Sequence, residues 1–73
     1  MRIEYDPEAD ALYIQLRQAQ VEDNIDIEDG VSVDLDGDKH IIGIEVLDAS
    51  KRLSATDLSS IAIERFPVET TIP

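Results

Sequence analysis

Apolar and polar residues alternate with a period of two along much of the chain, the pattern of half-buried β-strands. The clearest stretch is residues 30–50. There Val31, Val33 and Leu35 alternate with Ser32, Asp34 and Asp36, and a second apolar run follows through Ile41, Ile42, Ile44, Val46 and Leu47. Asp36-Gly37 between the runs predicts a tight type I′ hairpin turn, which needs positive φ at both central residues. Upstream, Ile3 and Tyr5 alternate with Arg2 and Glu4 over residues 1–5. Leu12, Ile14 and Leu16 alternate with Tyr13, Gln15 and Arg17 over residues 11–17. Over residues 21–28, Val21, Asp23, Ile25 and Ile27 share one face, and Glu22, Asn24, Asp26 and Glu28 give the other to water.

The connections carry turn chemistry. In Asp6-Pro7-Glu8-Ala9-Asp10, the proline presets φ and the Asp6 side chain can close the turn. A helix over residues 7–20 competes, with Asp6 as N-cap and Pro7 at the first helical position, but the two-residue period favours a strand. Asp29-Gly30 is a second turn, so the third, fourth and fifth strands form a meander. After Leu47 the pattern changes. Asp48 is a candidate N-cap for one helical turn over residues 49–53. Residues 54–57 are polar, with Leu58 as an anchor. Ile61 and Ile63 then alternate with Ala62 and Glu64 up to Phe66, which predicts a last strand ended by Pro67. A helix over residues 56–66 is the alternative, because Leu58, Ile61, Ala62 and Arg65 also match a 3.6 period. The expected fold is mainly β, a small α+β domain: a twisted antiparallel sheet of five to six strands with one short helix after the hairpin of residues 30–47. It forms one domain over residues 1–67, followed by a frayed tail over 68–73.

Length and charge sharpen this picture. A chain of 73 residues buries only about 60% of its unfolded surface. Without cysteine it has neither disulfides nor a cysteine metal cage to help. A second copy is the most accessible source of further burial, so a homodimer is expected. Seventeen acidic residues against six basic ones give a net charge of −11. That charge opposes binding to nucleic acid and to anionic membranes. It suits a basic protein partner, and it also keeps a small β-protein soluble and its edges apart. No apolar run has the length of a signal peptide or a membrane span, so the expected location is the cytoplasm.

Candidate chemistry is sparse. His40 is the sole histidine and lies beside Lys39 near the hairpin turn, with no serine–acid pair pointing to it. No catalytic or cofactor-binding residue is therefore assigned. Asp34-Leu35-Asp36-Gly37-Asp38 resembles a calcium loop superficially, but its glycine stands fourth instead of sixth and its twelfth residue is Glu45, in a predicted strand. Asp6, Glu8 and Asp10 crowd one turn, and Asp48 ends a strand that can lie nearby. Those four carboxylates are the alternative reading, a divalent-cation-binding or hydrolytic site, although such residues more often serve turns and caps. Tyr5 and Tyr13 are candidate interface residues that would stack across the first strand pair. Lys51 and Arg52 lie near the C-terminal end of the helical turn, where cations are favoured. Asp29, Gly30, Asp36 and Gly37 are assigned to turns.

Three segments together carry a resemblance. They are Tyr5-Asp6-Pro7-Glu8-Ala9-Asp10-Ala11-Leu12-Tyr13-Ile14, then Gly30-Val31 with Val33-Asp34, then Ile42-Gly43-Ile44-Glu45-Val46-Leu47-Asp48-Ala49-Ser50. Over residues 1–53 the chain resembles the prokaryotic family called domain of unknown function 2283. The resemblance implies a small stand-alone β-rich domain without an established activity. It also implies a setting similar to that of small partners in toxin–antitoxin-like pairs, and it carries over no catalytic residue. The expectation is a small acidic, non-enzymatic protein-interaction module, homodimeric, with an antitoxin-like relation to a small basic protein.

Overall fold

The computed structural model describes residues 1–65. Five antiparallel strands form one sheet: β1 (Arg2–Asp6), β2 (Ala11–Gln15), β3 (Asp23–Glu28), β4 (Val31–Leu35) and β5 (Ile41–Leu47). Two short helices follow, α1 (Ala49–Arg52) and α2 (Ala55–Ser59). The fold is thus mainly β with a small helical part. The strand order is β1-β2-β5-β4-β3. A β1–β2 hairpin and a β3–β4–β5 meander are joined by β2 lying beside β5. The two-residue alternation of Leu12 and Ile14 does produce a strand and not a helix.

Register separates the two faces, because residues opposite each other in a ladder point the same way. Ile3, Ile14, Ile44, Val33 and Ile25 form one row across the sheet, and Tyr5, Leu12, Val46 and Val31 form the next. This apolar face carries the core. Among the described residues the buried apolar ones are Val33, Leu35, Ile42 and Ala49, and Ile42 is 2% exposed. Leu53, Leu58 and Ile61 sit over Ile3, Leu12 and Ile14, leaving a small cavity of about 130 Å³ between them. The opposite face is polar. It carries the row Glu4, Tyr13, Glu45, Ser32 and Asp26 beside the row Arg2, Gln15, Gly43, Asp34 and Asn24. The molecule is a slab 19 Å thick, a single sheet with a partial second layer.

Several local expectations are corrected. The β4–β5 connection is not a two-residue type I′ turn. The Asp36 N–H donates to the His40 carbonyl and the Lys39 N–H to the Asp36 carbonyl, closing a three-residue loop in which Lys39 takes the left-handed conformation (φ 66°). The Asp36 carboxylate braces that loop by accepting from the N–H groups of Asp38 and His40. Gly37 therefore does not need positive φ. The Asp29-Gly30 turn is where glycine is required: Gly30 has φ 85° and its carbonyl accepts from the Leu47 N–H.

Among the described residues the last predicted strand does not form either. Residues 61–65 form neither strand nor helix, and Phe66, Pro67 and the tail over 68–73 lie outside the described residues. A second helix, α2, stands just before that segment. A capping box explains it: the Asp57 N–H donates to the Ser54 hydroxyl, and the Asp57 carboxylate accepts from the Ser54 N–H. The helical alternative for this region thus holds for its first turn only.

Candidate functional site

Three polar constellations stand on this scaffold. The first ties the β1–β2 turn to α1. Pro7 and the Asp6 carboxylate, which accepts from the N–H groups of Glu8 and Ala9, bend the chain so that Asp10 closes the turn with φ 52°. Aspartate is among the few residues that tolerate that region. Asp10 then accepts from the Tyr5 hydroxyl at 2.7 Å, the Ser50 hydroxyl at 2.7 Å and the Ser50 N–H at 3.0 Å. Its carbonyl accepts from the Ala49 N–H. Asp10 thus supplies, from 40 residues away, the side-chain cap that the first turn of α1 lacks locally. Asp48 occupies the expected cap position but is left-handed (φ 52°) and makes no side-chain cap bond. The Ser50 and Tyr5 hydroxyls hold the Asp10 carboxyl below the usual carboxylate range, with the Lys51 charge adding to them. The same bond from Tyr5 to Asp10 pushes the Tyr5 hydroxyl up.

The second lies at the centre of the polar face. The Tyr13 hydroxyl donates to Asp34 at 2.8 Å, and the Asn24 amide donates to Asp34 at 2.8 Å and to the Ser32 hydroxyl at 3.2 Å. Gly43 makes this possible. The Tyr13 ring crosses the Gly43 backbone, so that a Cβ there would meet Cζ at 2.5 Å and Cε1 at 3.1 Å. An interior glycine in a strand is the usual mark of such a close approach. The bond to Asp34 pushes the Tyr13 hydroxyl up.

The third fastens the loops. Arg17 pairs with Asp36, and Arg52 pairs with Glu28 at 2.9 Å while also donating to the Asp29 carbonyl. The Arg52 guanidinium lies over Gly30, 2.8 Å from where a Cβ would stand. The N–H groups of His40 and Asp38, together with Arg17, hold the Asp36 carboxyl below its ordinary range.

The sequence candidates are redistributed accordingly. Asp6 and Asp10 do share a turn, but their oxygens accept bonds from the protein's own N–H and hydroxyl groups. Among the described residues, no group of three or more His, Cys, Asp or Glu is placed to hold a metal ion. Tyr5 and Tyr13 do not stack. Tyr5 stands opposite Leu12 and Tyr13 opposite Glu4, so consecutive register positions send them to opposite faces. His40 is exposed, and its N–H is held by Asp36. Two shallow grooves cross the polar face on either side of Glu45 and Leu47. One, of about 570 Å³, is bounded by Glu4, Asp6 and Tyr13; the other, of about 360 Å³, by Asn24, Asp26, Asp29 and Ser32. The sole cation in register on this face is Arg2, paired with Glu4 at 2.9 Å. No helix among the described residues is long and apolar enough to cross a membrane.

Neither the curated proteins nor the solved structures contain a match to this chain. The family model described as a protein of unknown function, DUF2283, matches residues 2–50, from β1 into α1 and through all three constellations' sheet residues, and the chain belongs to that family.

Proposed function

We propose that this protein is a non-catalytic interaction module that forms a homodimer and binds a basic protein partner through its acidic surface, in the manner of an antitoxin holding a small basic toxin. The observation that carries the reading is the polar face. Glu4, Glu45 and Asp26 lie in one row across the sheet, flanked by Asp6 and Asp34, and among the described residues Arg2 is the one cation in register with them. Such a face steers a cationic protein by long-range attraction, chiefly by raising the association rate. Self-association is supported by the thin core. Among the described residues Leu16, Val21, Ile41, Leu47, Ile61 and Ile63 remain exposed while four apolar residues are buried. A two-fold interface between two chains of charge −11 needs an apolar centre with the acids at its rim. The test is capture of partners from the source cell at low and at moderate salt. A basic protein retained at low salt and weakened at moderate salt is the expected result. Recovery of no partner at either salt contradicts the heteromeric part of the proposal.

A further inference from the structure

We infer that the outer edge of β3 is the docking strand of this module, and that its occupant is an extended partner segment in which basic and apolar residues alternate. The inference rests on the proposed function and names its site. Among the described residues β3 is bonded to a strand on one side only, and all its residues are exposed. An open strand edge offers unpaired backbone groups to an incoming strand. On the apolar side Ile25 is 44% exposed, and Ile27, in the bulge that follows, is 61% exposed. On the polar side stand Asn24 and Asp26, next to the groove that also holds Asp29, Ser32 and Glu45.

Charge selects the occupant. Asp23 and Asp26 lie in the strand, with Glu22 and Asp29 at its ends. Among the described residues none of these four carboxylates is in an ion pair: the pairs are Arg2 with Glu4, Arg17 with Asp36, and Arg52 with Glu28 at the far end of β3. A second copy paired through this edge would set these acids against their own counterparts, which is destabilising. A strand alternating Lys or Arg with an aliphatic residue complements both sides. Its backbone extends the sheet, its aliphatic side chains lie beside Ile25, and its cations lie over Asp26 in the groove. The edge of β1 is less suitable, because Arg2 stands on it. The bulge between Asp26 and Glu28 limits regular pairing to residues 23–26, so the docked stretch is short and its hold depends on salt.

The test titrates the full chain with a capped peptide alternating lysine and valine, reading affinity and amide exchange in β3. Two controls have the same charge: a peptide with its lysines and valines in separate blocks, and the alternating peptide N-methylated at every second residue. The alternating peptide is expected to bind roughly tenfold or more tighter than either control and to slow exchange in β3 but not in β1. Asp26→Lys should abolish its binding and admit a peptide alternating glutamate and valine. Binding of the controls within about threefold of the alternating peptide overturns strand docking, since charge alone then accounts for the contact. Absence of binding, or protection confined to β1, overturns it as well. In each of these cases a basic protein captured from the cell still supports the broader proposal, so the two fail separately.

Discussion

Replacing Gly43 by alanine isolates the contact that organises the polar face. The new Cβ occupies the space of the Tyr13 ring, so the ring must swing away and its hydroxyl must leave Asp34. Losing a hydrogen bond to a carboxylate costs about 1.5–3 kcal/mol. Alanine recovers about 0.5–1 kcal/mol through its lower chain entropy when unfolded. The net loss is about 1–2 kcal/mol, a fall in Tm of roughly 5–15 °C for a domain this small. The decisive assay is thermal and urea unfolding of the parent, Gly43→Ala, Tyr13→Ala and the double variant. The three atoms nearest the added Cβ all belong to Tyr13. With Tyr13 already truncated, Gly43→Ala should therefore become neutral or slightly stabilising. An equal loss in both backgrounds would show that something other than the Tyr13 ring requires glycine at position 43, and the reasoning would be wrong.

Other expectations follow from local geometry. Gly37→Val should leave stability within about 0.5 kcal/mol, because the nearest atom to its Cβ is Glu22 Cγ at 3.7 Å and no positive φ is involved. Lys39→Gly should stabilise by about 0.5–1 kcal/mol by relieving the left-handed conformation at φ 66°, and denaturant unfolding of the two variants checks both signs. The carboxyls of Asp10 and Asp36 titrate below their ordinary value when folded. Their contribution is therefore present above about pH 4 and is lost as pH falls through the lowered folded values. Asp10→Asn should narrow its stability gap to the parent along that acid limb, and a gap of constant size down to about pH 2 would contradict the capping role. The Tyr13 hydroxyl titrates above its ordinary value, so its contribution holds below about pH 10 and is lost above it; Tyr13→Phe should flatten that alkaline limb in a pH series of Tm values.

The strands were legible because their signal is local. Leu12 and Ile14, Ile25, and Val31, Val33 and Leu35 alternate within a few residues, and each lies where the two-residue period sends it. Gly30 was legible for the same reason, since a left-handed turn between two strands demands glycine. The Asp36-Gly37 turn misled because Asp36 braces a longer loop with its own carboxylate and Lys39 accepts the strained position. Residues 61–65 alternate in sequence but pair with no strand. Ile61 instead reaches the small cavity over Ile3 and Leu12, after the Ser54–Asp57 box has turned the chain into α2. The site was the least legible part. The Asp10 cap joins residues 40 apart, and the diagonal crossing of Tyr13 over Gly43 exists only because β2 lies beside β5. Neither is visible to any pattern within one segment, although a glycine inside the apolar run of β5 marks the place where one was needed.

Sedimentation velocity over a salt series, on the chain alone and on the chain with its captured partner, tests the central claim most directly. The two associations proposed here respond to screening with opposite signs. The chain alone should sediment as a dimer that persists or tightens as salt rises, because screening relieves the repulsion between two acidic protomers. The complex with the basic partner should loosen over the same range. A chain that stays monomeric at tens of micromolar throughout, or a heteromeric complex that tightens with salt, would contradict the account.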